Sequence, residues 1–282
     1  MPLFGDRRGH DPSAAQLPAR DRFLPGDGRR AYRATRTLSG PGPDGERVSR
    51  SGTGVSLLSQ AEAEAMATER ARSSLAAAQA GNAGGLDAYA YSVDRLLEPV
   101  IETLAGPAGG EIGRITLNSY GALVMNSRSA LFADIDGNDG AARLEQVTRD
   151  RPELAFRVYG TPAGSRYFCT SHSFDPTAPE TTALLEGLGS DPKYVLLCRI
   201  QRCFRARLTP KPWRAGQQPI AVSPTEGISR GDLDRFLGTM SGYAAARFLR
   251  VVGAASEPLP EIAPLVEQHD RWCQASSDRP LA

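Results

Sequence analysis

The sequence predicts an α+β fold in which a small antiparallel sheet of two β-hairpins is flanked by helices. Three observations support this prediction. Apolar residues recur at helical spacing over residues 57–105, two pairs of β-rich runs follow over 112–172, and helical spacing returns over 180–275. We therefore expect one α+β domain over residues 55–282 with a helical C-terminal third.

The N-terminal segment, residues 1–54, is rich in Gly, Pro, Ser, Arg and Asp and has few apolar side chains. Such a segment buries too little surface to offset the entropy of its chain. We therefore expect a disordered N-terminal tail.

The first helices have clear start and stop signals. Ser59, with Glu62 three residues later, forms a capping-box pattern in front of an alanine-rich stretch, which predicts a helix over residues 61–80. A second helix is expected over residues 86–104, ended by Pro107.

The middle of the chain predicts two hairpins separated by a helix. The first pairs residues 112–125 with 130–135 around a turn at Asn126 and Ser127. A helix over 140–149 follows, and then a second hairpin of residues 154–159 and 166–170.

Helices are expected throughout the last third. A short helix covers residues 181–188, and Asp191 with Pro192 then forms a strong start signal for a helix that should reach Leu208. Pro210 and Pro212 end it. Two more helices are predicted over residues 231–252 and 260–273.

Composition indicates a globular, cytoplasmic protein. The chain is 40% hydrophobic, and no stretch approaches the roughly 20 apolar residues of a membrane helix. A net charge of +1 creates no global field that would attract nucleic acid, so such a partner needs a local patch. The four cysteines are scattered, which favours reduced thiols over a disulfide framework.

An acidic motif follows the strand predicted over residues 130–135. Alternation along a strand places Asp134 and Asp136 on one face, where two carboxylates can share Mg²⁺ or Mn²⁺. The alternative is a polar turn in which Asp136, Asn138 or Asp139 caps the next helix. An EF-hand is disfavoured, because Asp139 stands where that loop requires glycine.

His172 and Asp175 follow the second hairpin, and would come near the acidic motif if both hairpins share one sheet. Two acids on a strand, a small-x-His sequence after a later hairpin and a further acid resemble the palm of archaeo-eukaryotic primase-like polymerases, over residues 130–175. The resemblance implies that Asp134, Asp136 and Asp175 are metal ligands and that His172 contacts the incoming phosphates.

The segment from residue 193 to residue 214 is rich in cations and lacks acids. On the predicted helix, Arg199, Arg202 and Arg205 share one broad face and form a cationic ridge, and Trp213 adds a stacking surface. The candidate polyanion-binding residues are Arg199, Arg202, Arg205, Arg207, Lys211, Trp213 and Arg214. Alternatively, carboxylates such as Glu98, Glu102 or Asp234 neutralise the ridge within the fold.

The phrase Phe204-Arg205-Ala206-Arg207-Leu208-Thr209-Pro210-Lys211-Pro212-Trp213-Arg214 resembles a signature of a bacterial protein family to which we can attach no activity. Three hypotheses follow from the residues. The chain binds nucleic acid or another polyanion through its arginine-rich helix, or it is a metal-dependent nucleotidyl or phosphoryl transferase with an acidic site, or it is a structural or protein-interaction module whose ridge is paired internally.

Overall fold

The structure is a computed structural model that describes residues 17–18, 21–24, 32–56, 59–81, 98–137, 140–223, 226–253 and 257–282. Within these ranges the chain forms an α+β fold with antiparallel sheets, as predicted. No helix in the described ranges is both long enough and apolar enough to cross a membrane.

The described ranges contain twelve strands. They are β1 (Arg22–Phe23), β2 (Tyr32–Pro41), β3 (Arg47–Ser56), β4 (Val100–Ala105), β5 (Glu111–Leu117), β6 (Leu123–Ser127), β7 (Phe132–Asp136), β8 (Ala155–Thr161), β9 (Gly164–Cys169), β10 (Phe204–Arg207), β11 (Ile228–Ser229) and β12 (Arg247–Gly253).

Six α-helices accompany these strands in the same ranges. They are α1 (Gln60–Gln79), α2 (Gly140–Asp150), α3 (Pro179–Gly187), α4 (Pro192–Gln201), α5 (Arg230–Thr239) and α6 (Ala263–Cys273). A 3-10 helix spans Pro212–Ala215.

Two four-stranded antiparallel sheets form the body of the protein. The first has the order β12-β8-β9-β7 and the second the order β10-β6-β5-β4. The second predicted hairpin is confirmed as β8 and β9. One continuous core of apolar side chains joins the two sheets.

The first predicted hairpin is wrong in its pairing. The stretch expected to be one strand over 112–125 turns at Asn118, whose side chain accepts hydrogen bonds from the backbone amides of Tyr120 and Ala122. The two halves, β5 and β6, pair with each other, while β7 joins the other sheet beside β9. An Asn–Ser–Tyr–Gly turn thus divides the predicted strand into two.

The helix predicted over 86–104 is also wrong at its C-terminal end, where β4 pairs with β5. Its earlier part, residues 86–97, lies outside the described residues. The β-branched residues Val100 and Ile101 are buried in the strand.

Most other helix predictions are confirmed. Ser59 caps α1 by accepting from the Glu62 amide at 3.1 Å, although the Glu62 carboxylate contacts the Ser56 hydroxyl rather than the Ser59 amide. Asp191 caps α4 by accepting from the Lys193 amide at 3.0 Å, with Pro192 at the first helical position. The four cysteines are buried and free.

The C-terminal third is less helical than predicted. The helix expected over 231–252 ends at Thr239, and Arg247–Gly253 instead forms β12, which pairs with β8. This segment contains the β-branched residues Val251 and Val252, which favour a strand over a helix. It pairs at the edge of the first sheet instead of continuing the helix.

Residues 32–56 correct the prediction of a tail as far as residue 54, because they form the hairpin β2–β3. The rest of that predicted tail lies mostly outside the described residues. Helix α1 packs on this hairpin through Ala63, Ala67 and Ala71. The two strands contain too few apolar residues to be recognised from the sequence. Their pairing with each other and their packing against α1 stabilise them.

Glycines in β3 allow this close helix contact. A Cβ atom on Gly54 would lie 1.9 Å from the Ala63 carbonyl oxygen, and one on Gly52 would lie 2.3 Å from the Ala67 carbonyl oxygen. Helix α1 therefore lies directly against the backbone of β3.

Gly54→Ala is expected to separate α1 from the hairpin, because the clashing atoms are backbone atoms that cannot rotate away. We expect a loss of about 1–3 kcal/mol, the usual range for overpacking. Limited proteolysis of the 32–81 region and circular dichroism measure the effect. Gly110→Ala is the control, since a Cβ there meets nothing within 4 Å. Equal protease resistance of the two variants would contradict the expectation.

Candidate functional site

The paired acids lie at the end of β7, at the edge of the first sheet. The backbone of Asp134 faces away from β9. Its amide donates to the Ser190 hydroxyl at 3.3 Å, and its carbonyl accepts from the Asp191 amide at 2.9 Å. Asp134 and Asp136 point to the same face of the strand, with Asp134 half-buried and Asp136 exposed.

Asp134 is the cross-strand partner of Arg166 on β9. Because the Asp134 backbone bonds outward, this is a non-hydrogen-bonded pair, in which side chains lie closest. Arg166 nevertheless forms no ion pair with a described residue. Its Nη1 donates to the Arg207 carbonyl at 2.8 Å and lies 3.2 Å from His269 Nε2. The Asp134 carboxylate thus remains available to a ligand.

The basic segment does not form the predicted ridge. Helix α4 ends at Gln201, Arg202 adopts a left-handed conformation with φ 51°, and β10 begins at Phe204. The helix prediction as far as Leu208 is therefore wrong. Phe204 and Ala206 are buried while Arg205 and Arg207 are half-buried, which is the period of two expected of a strand.

The structure disperses the first half of the candidate polyanion set. Arg199 is exposed on α4 and Arg202 is exposed at its C-terminal cap. Arg205 forms a bidentate salt bridge with Glu98 at 2.6 and 2.7 Å. The side chains of Arg205 and Glu98 are only 17% and 5% exposed. Glu98 therefore neutralises Arg205 within the fold.

Two members of the second half of the set, Arg207 and Lys211, lie within electrostatic reach of the acids. Strand β10 packs next to β7, and Arg207, Lys211 and Arg214 follow one another out of it. Burial lowers the pKa of Lys211, and the Arg207 and Arg214 guanidinium groups lower it further, whereas Asp134 and Asp136 act in the opposite direction. Lys211 is thus influenced by two cations and two carboxylates at once.

Two cations at this place have donor atoms without partners. Arg207 Nε and Arg214 Nη1 are shielded from solvent and donate no hydrogen bond to any described group. Burial lowers the pKa of Arg207, and the Arg166 charge also lowers it, while Tyr120 and Asp134 oppose this. Buried donors without acceptors are costly, so an anion bound here would satisfy them.

An aromatic pair borders these cations. Trp213 is 53% exposed, and its ring lies 5.2 Å from that of Tyr120 at an interplanar angle of 61°. Lys211 Nζ lies 5.7 Å from the Trp213 ring, a cation–π distance. A large exposed indole can stack on a planar ligand.

These residues define the junction site, so called because it lies where the two sheets meet. Its members are Tyr120, Asp134, Asp136, Arg166, Arg207, Lys211, Trp213 and Arg214.

Arg166 and Tyr120 were missed by the sequence analysis. Arg166 is only 3% exposed, yet it is charged. The sequence did contain a signal for its burial. Arg166 lies two residues before the apolar Phe168, so alternation places both on the inward face of the strand. Tyr120 lies in a turn that was expected to be strand, and no local pattern indicated its role.

His172 and Asp175 lie away from the junction site. Strand β9 begins beside Asp136 and ends beside Phe132, so His172 extends beyond the far end of the sheet. It follows Arg166 by six residues, which corresponds to about 20 Å of extended chain. The His172 ring is exposed and packs 4.8 Å from the Phe174 ring.

Asp175 has a local structural role in the described conformation. Its Oδ1 accepts from the Thr177 amide at 2.8 Å and from the Thr177 hydroxyl at 2.7 Å. These bonds lower the pKa of Asp175. Asp175 therefore caps the turn that follows it.

Two carboxylates could hold a divalent cation at the junction site. No cluster of three or more His, Cys, Asp or Glu side chains suited to a metal ion occurs among the residues with described positions. Mg²⁺ commonly takes only one or two protein carboxylates and completes its shell with water and substrate phosphates. Asp134 and Asp136 fit that requirement. Asn138 and Asp139 lie outside the described residues.

A cavity of about 650 Å³ lies elsewhere, between β11 and α5. Its walls are mostly apolar, including Ile220, Ile228 and Phe236. Arg235, which also lines it, is already paired with Asp232 at 2.9 Å. The junction site is the stronger candidate, because cations and carboxylates without ion-pair partners among the described residues occur together there.

No protein-family model matches the chain, and no curated protein or solved structure is significantly similar to it.

Proposed function

We propose that the junction site binds the phosphate groups of a nucleotide together with a divalent cation. The observation that carries the proposal is the pair of shielded, unpartnered donors, Arg207 Nε and Arg214 Nη1. Both guanidinium groups interact with Lys211, which also interacts with Asp134 and Asp136. Arginine is the side chain best matched to phosphate, because its fork of N–H groups pairs with two oxygens at once.

The balance of charge supports a phosphate–metal complex. The cations Arg166, Arg207, Lys211 and Arg214 outnumber the carboxylates Asp134 and Asp136 at the described site. Phosphate groups would neutralise the excess positive charge, and a divalent cation would relieve repulsion between these phosphates and the carboxylates. In a site that binds anions alone, the two carboxylates would have no cation to bind.

The exposed Trp213 ring supports the nucleotide rather than inorganic phosphate as ligand. It lies next to Lys211, so a base could stack on the indole while its phosphates reach the cations. Stacking on an aromatic side chain contributes about 1–3 kcal/mol per base.

Binding of a nucleoside triphosphate in the presence of Mg²⁺, followed by calorimetry, tests the proposal. The double variant K211A/R214A should bind at least about tenfold more weakly, since loss of one charged hydrogen bond costs about 1.5–3 kcal/mol. Trp213→Ala should weaken the binding of a nucleotide but not the binding of inorganic triphosphate.

Arg199→Ala is the matched control, because Arg199 is an exposed cation on α4, outside the junction site. It should leave binding unchanged. Equal affinities of K211A/R214A and the original protein would refute the proposal, as would an effect of R199A as large as that of the double variant.

Metal-dependent nucleotidyl or phosphoryl transfer is a second candidate function. It is favoured by the common face of Asp134 and Asp136 beside Lys211, and by the resemblance of this motif to the primase-like palm. Asp134 and Asp136 would hold the ion, which supplies Lewis-acid polarisation of a phosphoryl oxygen. Arg207, Lys211 and Arg214 would stabilise the charge that develops on the phosphate.

The transfer proposal uses only part of the predicted catalytic set, since His172 and Asp175 lie at the other end of the sheet. Asp136→Asn should abolish any Mg²⁺- or Mn²⁺-dependent turnover of nucleotides. Asp175→Asn is the control and should retain it. Turnover that survives in D136N would eliminate this candidate while leaving nucleotide binding open to its own test.

A further inference from the structure

The hairpin β2–β3 has two unlike faces. One face packs against α1 through Gly52 and Gly54. The opposite face carries three cross-strand hydroxyl pairs, and we call it the hydroxyl face. Its pairs are Thr35 with Thr53 at 3.3 Å, Thr37 with Ser51 at 2.7 Å, and Ser39 with Ser49 at 2.7 Å.

The hydroxyl face is accessible along its hydroxyl pairs, whereas Val55, which lies opposite Arg33 on the same face, is buried. Five of its six hydroxyl residues are exposed, and Thr53 is half-buried. In each pair one hydroxyl donates to the other, which leaves one hydroxyl hydrogen and several lone pairs free. The face therefore presents a regular row of small donors and acceptors.

The charge of this face is positive. Alternation places Arg33 and Arg47 on it, at opposite ends, and both are exposed. Neither strand contains a carboxylate, and the turn that joins them carries Asp44 and Glu46, next to Arg47. By contrast, Arg36 lies on the helix side and pairs with Glu64 at 2.9 Å. The exposed cations of the hydroxyl face are thus available to an anionic partner.

A protein or membrane partner does not fit this surface. Protein interfaces depend on buried aromatic and other large anchors, and serine and threonine are under-represented among the residues that dominate binding. The six hydroxyl positions supply no such anchor. Hydroxyl and guanidinium groups instead contact phosphate oxygens and base edges.

The dimensions fit double-stranded DNA. A two-stranded antiparallel ribbon can enter the major groove of B-form DNA, whereas the major groove of A-form RNA is too narrow and deep. Ten-residue strands at about 3.3 Å per residue span about 33 Å, close to one helical turn of DNA. Small hydroxyl side chains allow the ribbon backbone to approach the bases.

We propose that the hydroxyl face of the β2–β3 hairpin is a binding surface for duplex DNA. Arg33 and Arg47 contact phosphates at its two ends, and the hydroxyl pairs contact the groove between them. This surface is separate from the junction site and does not depend on nucleotide binding there.

Fluorescence anisotropy of the full chain with a labelled DNA duplex of about 20 base pairs, at several salt concentrations, tests the inference. R33A/R47A should weaken binding and reduce the slope of log K against log salt by about two, one for each phosphate that is no longer neutralised. T37V/S51V should weaken binding several-fold without changing that slope. R36A/E64A, on the helix side, is the control and should bind as the original protein does.

Several results would overturn the inference. They are absence of duplex binding by the original protein at low salt, R33A/R47A with unchanged affinity and slope, and tighter binding of single-stranded DNA or duplex RNA than of duplex DNA. Nucleotide binding by the same variants separates the two proposals. R33A/R47A should bind nucleotide normally, and K211A/R214A should still show the part of duplex binding that depends on Arg33 and Arg47.

Discussion

Replacing Glu98 by alanine is expected to lower the free energy of unfolding by about 3–5 kcal/mol, the usual cost of leaving a buried charge unpaired. Arg205 would be deprived of both carboxylate oxygens, which lie at 2.6 and 2.7 Å. The Thr116 hydroxyl, which donates to the same carboxylate at 2.5 Å, would be left without this acceptor too. Urea unfolding measures the change.

Two further variants establish the cause. E98L/R205M removes both charges and should recover much of the stability, because a buried ion pair can be replaced by apolar side chains of similar volume at little cost. Arg235→Ala breaks the exposed pair with Asp232 and should leave the urea midpoint essentially unchanged. If E98A unfolds at the same urea concentration as R235A, the salt bridge does not have the importance we assign to it.

Acid is expected to destabilise the protein by about 3 kcal/mol through His269 alone. Burial lowers the pKa of His269 from 6.5 to about 4, although the hydrogen bond with Asp270 opposes this. The contribution to stability is complete above pH 6.5 and is lost as pH falls towards 4, because the unfolded chain binds the proton more readily. Unfolding by urea between pH 8 and pH 4 measures it.

The geometry around His269 explains why it stays neutral. Its Nδ1 lies 3.1 Å from Asp270 Oδ1, while Nε2 lies 3.2 Å from Arg166 Nη1, which can only donate. Nε2 must therefore be an acceptor and Nδ1 must carry the proton. Protonation at Nε2 would set two donors against each other in a fully buried place.

His269→Gln should flatten the dependence of stability on pH between 6.5 and 4, even if it lowers stability at pH 8. Part of the acid transition should remain. Burial alone would raise the pKa of Asp270, but hydrogen bonds with His269 and Tyr159 hold it below its usual value. The same substitution at the exposed His172 is the control. An unchanged pH profile for H269Q would show that His269 is not the titrating group.

Two local signals predicted the starts of helices well. Ser59 with Glu62, and Asp191 with Pro192, act through backbone amides within three residues of the cap. The second hairpin was likewise predictable, because its turn and both strands lie close together in the chain. These elements depend on short-range interactions, which the order of residues displays directly.

The elements that were predicted wrongly have a common cause. β10, β12 and β4 each contain apolar residues that also suit a helix, and each became a strand because another strand offered pairing. The partner of β12, for example, is β8, far earlier in the chain. The hairpin β2–β3 similarly depends on α1, whose alanines pack against its glycines.

The candidate site likewise combines local features that the sequence predicted with long-range contacts that it did not. Asp134 and Asp136 were found from the sequence because strand alternation is local, and the basic segment was found because its charges are close together in the chain. The sequence by itself determined which groups could bind phosphate and metal. Only the tertiary structure decided that Arg205 pairs with Glu98, that Arg207 and Lys211 lie near the acids, and that His172 does not. The reason is physical, since charges interact through space, and the pairing of distant strands sets the distances between them.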